Sequence, residues 1–203
     1  MSLTIVHPSQ TPLISLEEAK AYLRVDSDAE DALIQRLVAA STEALEVITG
    51  RSFLQKTYQY ATPLKLFTPK NQTTQDYLYP ISVLQVPLPR PPVCRITSVV
   101  LRTGVQEREI PAENYSMMER HGPAQLTITV PVGACSSRMP CELIISFSAG
   151  FGETADSVPE GLRLAILMLV ADAYEKRDGF SAQAGLPQGV HALIQPYRLL
   201  NIL

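Results

Sequence analysis

The sequence has little of what usually marks a catalytic or a DNA-holding protein. Its 203 residues include no tryptophan, three cysteines and three histidines, and only 18% of them are charged. The 17 Lys and Arg residues are outnumbered by 20 Asp and Glu residues, so the net charge is −3. Proteins that hold DNA by neutralising its phosphates usually carry a basic excess. We therefore do not expect tight general DNA binding.

The cysteines and the apolar runs exclude further classes. Cys94, Cys135 and Cys141 show no CxxC spacing, so we expect reduced thiols and no zinc site. The longest apolar run, 164–171, is far shorter than the ~20 residues that span a bilayer. The first residues also lack the basic region and apolar core of a secretory signal. These patterns predict a protein that neither enters a membrane nor is exported by that route.

No catalytic constellation can be assembled from the sequence. His7, His121 and His191 lie in three unrelated contexts, and no serine stands in a GxSxG motif. The segment Ala149-Gly-Phe-Gly152 precedes a predicted helix but lacks the other residues of a phosphate loop or a dinucleotide fingerprint. We therefore predict no enzymatic activity, no cofactor and no metal site.

Proline divides the chain into three parts. Eleven of the 16 prolines lie between Pro63 and Pro140, whereas 14–50 and 161–185 contain none. Because proline breaks helix interiors, helices are expected at both ends, around a middle that reads as strands. The predicted fold class is α+β. Its predicted parts are residues 1–53, 54–148 and 149–203.

Two capping boxes mark the first helices. Ser15-Leu-Glu-Glu18 predicts a short helix over 16–24, and Ser27-Asp-Ala-Glu30 predicts a longer one that ends at Gly50. Five apolar residues of the longer helix recur at helical spacing and are expected to form its buried face: Leu33, Leu37, Ala40, Ala44 and Ile48.

A third capping box, Ser157-Val-Pro-Glu160, begins a helix predicted over 159–177. This helix is apolar nearly all round between Leu162 and Ala173. We expect it to be buried on every side, in its own core or against another subunit. The candidate core or subunit-interface residues are Leu162, Ile166, Leu169 and Val170. A last short helix is predicted from Pro187 to about Gln195, where Pro196 ends it.

The middle of the chain predicts strands. Their expected ranges are 57–62, 79–86, 93–102, 105–110, 125–130 and 141–147. Thr103-Gly104 should form the turn of a hairpin between the third and fourth of these strands. The polar stretch 63–77 is expected to be a mobile loop.

The last seven residues, 197–203, form an apolar tail with the sequence YRLLNIL. A tail of this kind either packs on its own domain or binds a partner. The residues themselves leave both alternatives open.

The order of these motifs resembles the head-tail connector, or adaptor, proteins of tailed phages, also described as head-completion or DNA-packaging proteins. Four segments carry the resemblance. They are Pro12-Leu-Ile-Ser-Leu-Glu-Glu-Ala-Lys20 through Asp28, Ala39 through Thr49-Gly50-Arg51, Phe147-Ser-Ala-Gly-Phe-Gly152 through Arg177, and Leu186-Pro187 through Pro196-Tyr197-Arg198. The long proline-rich middle departs from the compact members of the family.

The resemblance implies a helical core of two N-terminal helices, one buried helix and one short C-terminal helix, with an inserted proline-rich β-domain. It implies a structural virion protein, or its prophage counterpart, that is assembled in the bacterial cytoplasm. Such a protein lies in the neck, forms a ring under the portal protein, extends the DNA channel and docks the next head-completion or tail protein. Double-stranded DNA would pass without sequence-specific contact.

By the same resemblance, the end of the chain reaches toward the portal. The candidate portal-docking residues are therefore Tyr197, Arg198, Leu199 and Leu200. Arg198 is expected to pair with a carboxylate while the apolar side chains fill pockets.

Two alternatives to the connector remain. One is another neck or tail-completion protein of a phage. The other is a nucleic-acid-binding accessory factor of DNA packaging, which salt-dependent DNA binding would reveal.

Overall fold

The computed structural model describes residues 1–64, 81–118, 124–131, 141–176 and 185–199. The fold is α+β and divides into two compact units. The β unit consists of Met1–Pro8 and Lys56–Ala149, and the helical unit of Ser9–Gln55 and Gly150–Leu203. Most of the predicted loop 63–77 lies outside the described residues, as do His121 and Cys135. None of the described helices is long and apolar enough to cross a membrane.

The described part of the β unit contains two antiparallel sheets. Its strands are β1 (Ser2–His7), β2 (Lys56–Pro63), β3 (Ile81–Pro87), β4 (Val93–Thr103), β5 (Gln106–Glu109), β6 (Tyr115–Met118), β7 (Gln125–Pro131) and β8 (Cys141–Ala149). One sheet has the order β1-β2-β8-β4-β5, and the other has the order β3-β7-β6. All strand pairs are antiparallel.

Both sheets contribute to one buried cluster. Alternation along β8 buries Ile145 and Phe147, and the ring of Tyr58 in β2 stacks on Phe147 with a centroid distance of 5.6 Å. From the other sheet, β7 adds the fully buried Leu126 and Ile128. Because strand side chains alternate between faces, each strand can bury one face here while the other meets solvent.

The six strands predicted from the sequence are present, and β4 and β5 form the expected hairpin around Gly104. The first residues are different. The predicted helical part, residues 1–53, includes Ser2–His7, but this segment pairs with β2 at the margin of the larger sheet. A strand at a margin is held by a partner far along the chain, so local patterns do not predict it.

The helical unit contains α1 (Leu16–Leu23), α2 (Asp31–Thr49), α3 (Glu160–Lys176) and α4 (Gln188–Ile194). The Ser15 hydroxyl accepts a hydrogen bond from the Glu18 amide at 3.1 Å, which is the predicted cap of α1. Ser27 instead caps a single 3-10 turn, because its hydroxyl accepts from the Ala29 amide and α2 starts only at Asp31.

The buried face of α2 lies one residue further along than predicted. Its fully or nearly fully buried residues at helical spacing are Ile34, Val38, Ser41, Leu45 and Thr49. Leu33 is 45% exposed, and Leu37, Ala44 and Ile48 only flank the buried stripe. The predicted stripe is wholly apolar, whereas the buried one includes Ser41 and Thr49, so packing against the rest of the unit and not apolar character alone selects the buried face.

Helix α3 runs through the core of the helical unit. Leu162, Ile166, Leu169 and Val170 are at most 2% exposed and belong to the buried cluster of that unit. The core of the helical unit does not bury α3 on every side, since Leu164 is 41% exposed, so complete burial would need a second subunit. The apolar pattern cannot distinguish a residue under a neighbouring helix from one at the rim of the packing.

The cysteines also differ from expectation. Cys94 is exposed, but Cys141, at the start of β8, is disulfide-bonded. The expectation of reduced thiols is therefore wrong for Cys141. Sequence spacing did not show this, because folding decides which sulfur atoms come within bonding distance.

Candidate docking site around Tyr197 and Arg198

The chain after α4 makes a defined turn. A 3-10 turn, Gln195–Tyr197, follows α4 directly, so Pro196 lies within the turn and does not stop the helical conformation. The Arg198 amide donates to the Ile194 carbonyl at 3.1 Å, and Arg198 itself is extended. The turn therefore directs the chain away from α4 at Arg198.

The first residues of the tail are hydrogen-bonded to the end of α2. The Arg51 Nε donates to the Tyr197 carbonyl at 2.6 Å, and the Leu199 amide donates to the Thr49 carbonyl at 3.0 Å. Gly50 ends α2 with a φ of +73°, a conformation that favours glycine. A Cβ on Gly50 would lie 3.2 Å from the Leu199 Cδ1, so the side chain of Leu199 covers this helix end closely.

Tyr197 packs on the helical core beside the first turn of α3. A Cβ on Gly161 would lie 3.8 Å from its ring, which is ordinary contact distance. Tyr197 and Leu199 are both partly buried, whereas Arg198 between them is exposed. Leu200 lies outside the described residues. The four candidate residues are thus not equivalent, because two of them hold the tail on its own unit and Arg198 faces solvent.

This arrangement suits recognition of a carboxylate. A guanidinium group is always charged and presents a planar fork of donors that matches a carboxylate with two hydrogen bonds. The backbone on both sides of Arg198 is already hydrogen-bonded, so little further ordering of the main chain is needed when a partner binds.

A shallow cavity of about 250 Å³ lies at the start of α3, where Gly161 meets Tyr197. Its lining residues are Glu18, Glu160, Gly161, Arg163, Leu164 and Leu167. Arg163 pairs with Glu18 of α1 at 2.9 Å and with Glu160 at 2.7 Å. The cavity therefore has an apolar floor and a rim whose charges are paired with one another.

The described residues contain no group of three or more His, Cys, Asp or Glu side chains that could hold a metal ion. His7 lies in β1 and His191 in α4, so the two belong to different units. Sequence reasoning missed Thr49, Gly50 and Arg51 as the anchors of the tail. The only local signal was the glycine, which reads as a helix end and reveals no distant contact.

Comparison with known proteins finds a family match over part of the chain. Residues 13–86 match the model of a family described as "Phage gp6-like head-tail connector protein". No curated protein matches the sequence. The family match confirms the resemblance drawn from the sequence.

Solved structures share the fold over the whole chain. The chain is similar to a protein in the neck of an empty gene transfer agent (GTA) particle, computed with C6 symmetry, at 24% identity and a TM-score of 0.73. A protein of the native GTA virion matches at 23% and 0.72, and one of the native GTA neck, computed with C12 symmetry, matches at 23% and 0.70. In each case 100% of this chain and 98% of the other chain are covered.

Proposed function

We propose that this protein, which resembles the phage head-tail connector family, is a structural, non-enzymatic component of a virion neck. In this proposal it forms a ring under the portal protein, extends the DNA channel and docks the next head-completion or tail protein. The observation that carries the proposal is the fold shared with neck proteins over the whole chain. A closed ring is also a usual form of homo-oligomer.

The charge of the two units supports a conduit. The helical unit carries eight Lys and Arg against 14 Asp and Glu, and the β unit carries nine against six. Neither unit has the large basic excess with which proteins hold DNA phosphates. A channel wall of low positive charge lets DNA pass without being retained.

The proposal extends to the docking residues. Tyr197 and Leu199 hold the end of the chain on the helical unit, and Arg198 and Leu200 contact the portal protein. Arg198 pairs with a carboxylate of the portal. The support for this assignment is the exposure of Arg198 between two anchored neighbours.

The test is assembly on portal-containing heads. Purified protein is added to heads that lack it, and the necks are imaged by electron microscopy, while native mass spectrometry measures the isolated protein. We expect a ring under the portal and an isolated protein that is monomeric or weakly associated. Heads that are completed without this protein, or that retain it as a stable twofold dimer, would contradict the proposal.

The β unit carries a modest excess of Lys and Arg over Asp and Glu. A second candidate function is therefore that of a nucleic-acid-binding accessory factor in DNA packaging. Binding to a DNA duplex, measured at several salt concentrations, separates the two. An accessory factor binds with an affinity that falls steeply with salt, whereas a connector shows no such binding.

A further inference from the structure

Among the described residues, no strand pairs with the outer edge of β1, at one side of the larger sheet. β1 pairs only with β2 among the described strands, and its sequence SLTIVH contains no proline and no Lys, Arg, Asp or Glu. Ile5 is 50% exposed and Val6 is 47% exposed. Natural sheets usually guard such an edge with charges, proline or a covering segment, since its free N–H and C=O groups invite another strand.

The opposite edge of the same sheet is guarded. β5 has the sequence QERE, and all four of its residues are exposed. Glu107 of this strand forms an ion pair with Arg102 of β4 at 2.7 Å. Charged side chains of this kind discourage strand addition, so within the five-stranded sheet β1 is the edge open to a partner.

We propose that the edge of β1 binds β1 of a second copy of this chain. The two strands run antiparallel about a twofold axis perpendicular to the sheet, centred on Thr4. This pairing does not depend on the proposed neck function.

The register follows from the symmetry. Such an axis keeps equivalent sheet faces on the same side, so Thr4 meets its own counterpart and Leu3 meets Ile5 of the second copy. A register centred on Leu3 pairs fewer residues of the strand. One centred on Ile5 would pair His7, beyond the irregularity between Ile5 and His7, whereas the register centred on Thr4 extends only to Val6.

The side chains of β1 are complementary to themselves in this register. Leu3 and Ile5 stand opposite the buried Tyr60 and Tyr58 of β2, so they share the inner face, and half of Ile5 is still exposed there. Pairing places the partner's Leu3 beside it. Thr4, on the other face, meets a second threonine. Aliphatic and Thr–Thr cross-strand pairs are favourable, and no like charges face each other.

We expect the dimer to be weak and to form only while the protein is not part of a ring. Two six-residue edges bury much less than the ~800 Å² per partner of a standard interface. A twofold pair of this kind also cannot be repeated around the single axis of a closed ring. The contact would therefore dissociate when a ring assembles.

The first experiment uses charge at the centre of the pair. Sedimentation equilibrium is measured for the full chain and for the variants Thr4→Lys and Thr4→Glu, with Gln106→Lys and Gln106→Glu on the opposite edge as controls. Each Thr4 variant should dimerise about tenfold or more weakly, since like charges face each other. An equimolar mixture of the two Thr4 variants should restore the dimer, and the Gln106 variants should behave as the wild type.

The second experiment tests the register. Opposite Cα atoms in an antiparallel pair lie roughly 4.5–5.5 Å apart, within the range that a disulfide spans. Thr4→Cys should give a covalent dimer under mild oxidation, whereas Val105→Cys, in the exposed turn between β4 and β5, should give no more than the wild type. Three results would overturn the proposal. The wild type could stay monomeric at every concentration, or its dimer could survive Thr4→Lys. The edge of β1 could also bind another neck protein and no second copy of this chain.

Discussion

Arg51 and Tyr197 are 146 residues apart in the sequence, and the Arg51 Nε donates a hydrogen bond of 2.6 Å to the Tyr197 carbonyl. This bond joins the segment after α2 to the turn after α4. Together with the bond from the Leu199 amide to Thr49, it makes the chain up to Leu199 a part of the helical unit. Among residues 197–199, Arg198 is therefore the one available to a partner.

Two truncations separate the anchor from the docking segment. Removing residues 200–203 should leave the melting temperature within about 2 °C, because the hydrogen bonds at the Tyr197 carbonyl and the Leu199 amide are kept, and should weaken binding to the portal. Removing residues 197–203 should lower the melting temperature by several degrees, since it deletes the Tyr197 packing and both hydrogen bonds to residues 49–51 at the end of α2. Differential scanning calorimetry and a portal pull-down measure the two effects. Equal melting temperatures for both truncations would show that the anchor contributes nothing.

Reversal of the charge at Arg198 tests the docking residue itself. Arg198→Glu should weaken portal binding by about tenfold or more, because a carboxylate would then face a carboxylate, and should leave the melting temperature unchanged. Arg36→Glu on the exposed side of α2 is the matched control and should bind normally. Unaltered binding by Arg198→Glu would place the docking site elsewhere.

Two substitutions to aspartate, one at a buried and one at an exposed position of α3, test which face of the helix is buried. Ile166 is fully buried, so Ile166→Asp places a carboxylate without a partner in the core and should cost several kcal/mol, which leads to insoluble or unfolded protein. Leu164 is 41% exposed, and Leu164→Asp should remain soluble with a small loss of stability. Soluble expression and circular dichroism measure the difference. Similar behaviour of the two variants would contradict the assigned face of α3.

Gly150 lies where the chain approaches its own backbone. Its φ is +144°, and a Cβ there would lie 2.5 Å from backbone atoms of Leu54 and Gln55. Gly150→Ala should therefore destabilise the protein by roughly 2 kcal/mol or more, because the main chain itself must move. Gly161→Ala meets only ordinary contacts and should be neutral or slightly stabilising in its helix. Urea unfolding of both variants would reveal the difference, and a harmless Gly150→Ala would refute the close approach.

The ion pair between Lys20 and Asp28 predicts a pH dependence. The hydrogen bond from Lys20 lowers the pKa of Asp28 from its usual 3.8, and the Asp28 carboxylate, with Asp31, raises the pKa of Lys20 above 10.5. A lowered carboxyl pKa contributes stability that is present above pH 3.8 and is lost as pH falls through the lower folded value. The raised lysine pKa contributes stability that is lost above pH 10.5.

Asp28→Asn should therefore lower the melting temperature slightly at neutral pH and have no effect in strong acid. The effect should be small because the Asp28 side chain is exposed to solvent. Asp156→Asn, at another exposed aspartate, is the control. A difference between Asp28→Asn and the wild type that does not shrink below pH 3.8 would exclude the linkage.

The sequence predicted those elements of the fold that local chemistry specifies. The Ser15 cap, the position of α3 and the β4–β5 hairpin depend on residues within a few positions of one another, and all are present. The candidate site was only partly predictable. The sequence singled out Tyr197 to Leu200, but nothing in those residues distinguishes the two that are anchored from the one that is exposed.

The sequence by itself determined the α+β class, the approximate bounds of most helices and strands, and the resemblance to head-tail connectors, because periodicity, capping and turn residues act over short distances. Tertiary structure alone decided which face of α2 is buried, where β1 pairs and how Arg51 meets Tyr197. Each of these depends on a segment far along the chain. Since several local arrangements have similar free energies, packing against the distant segment selects among them.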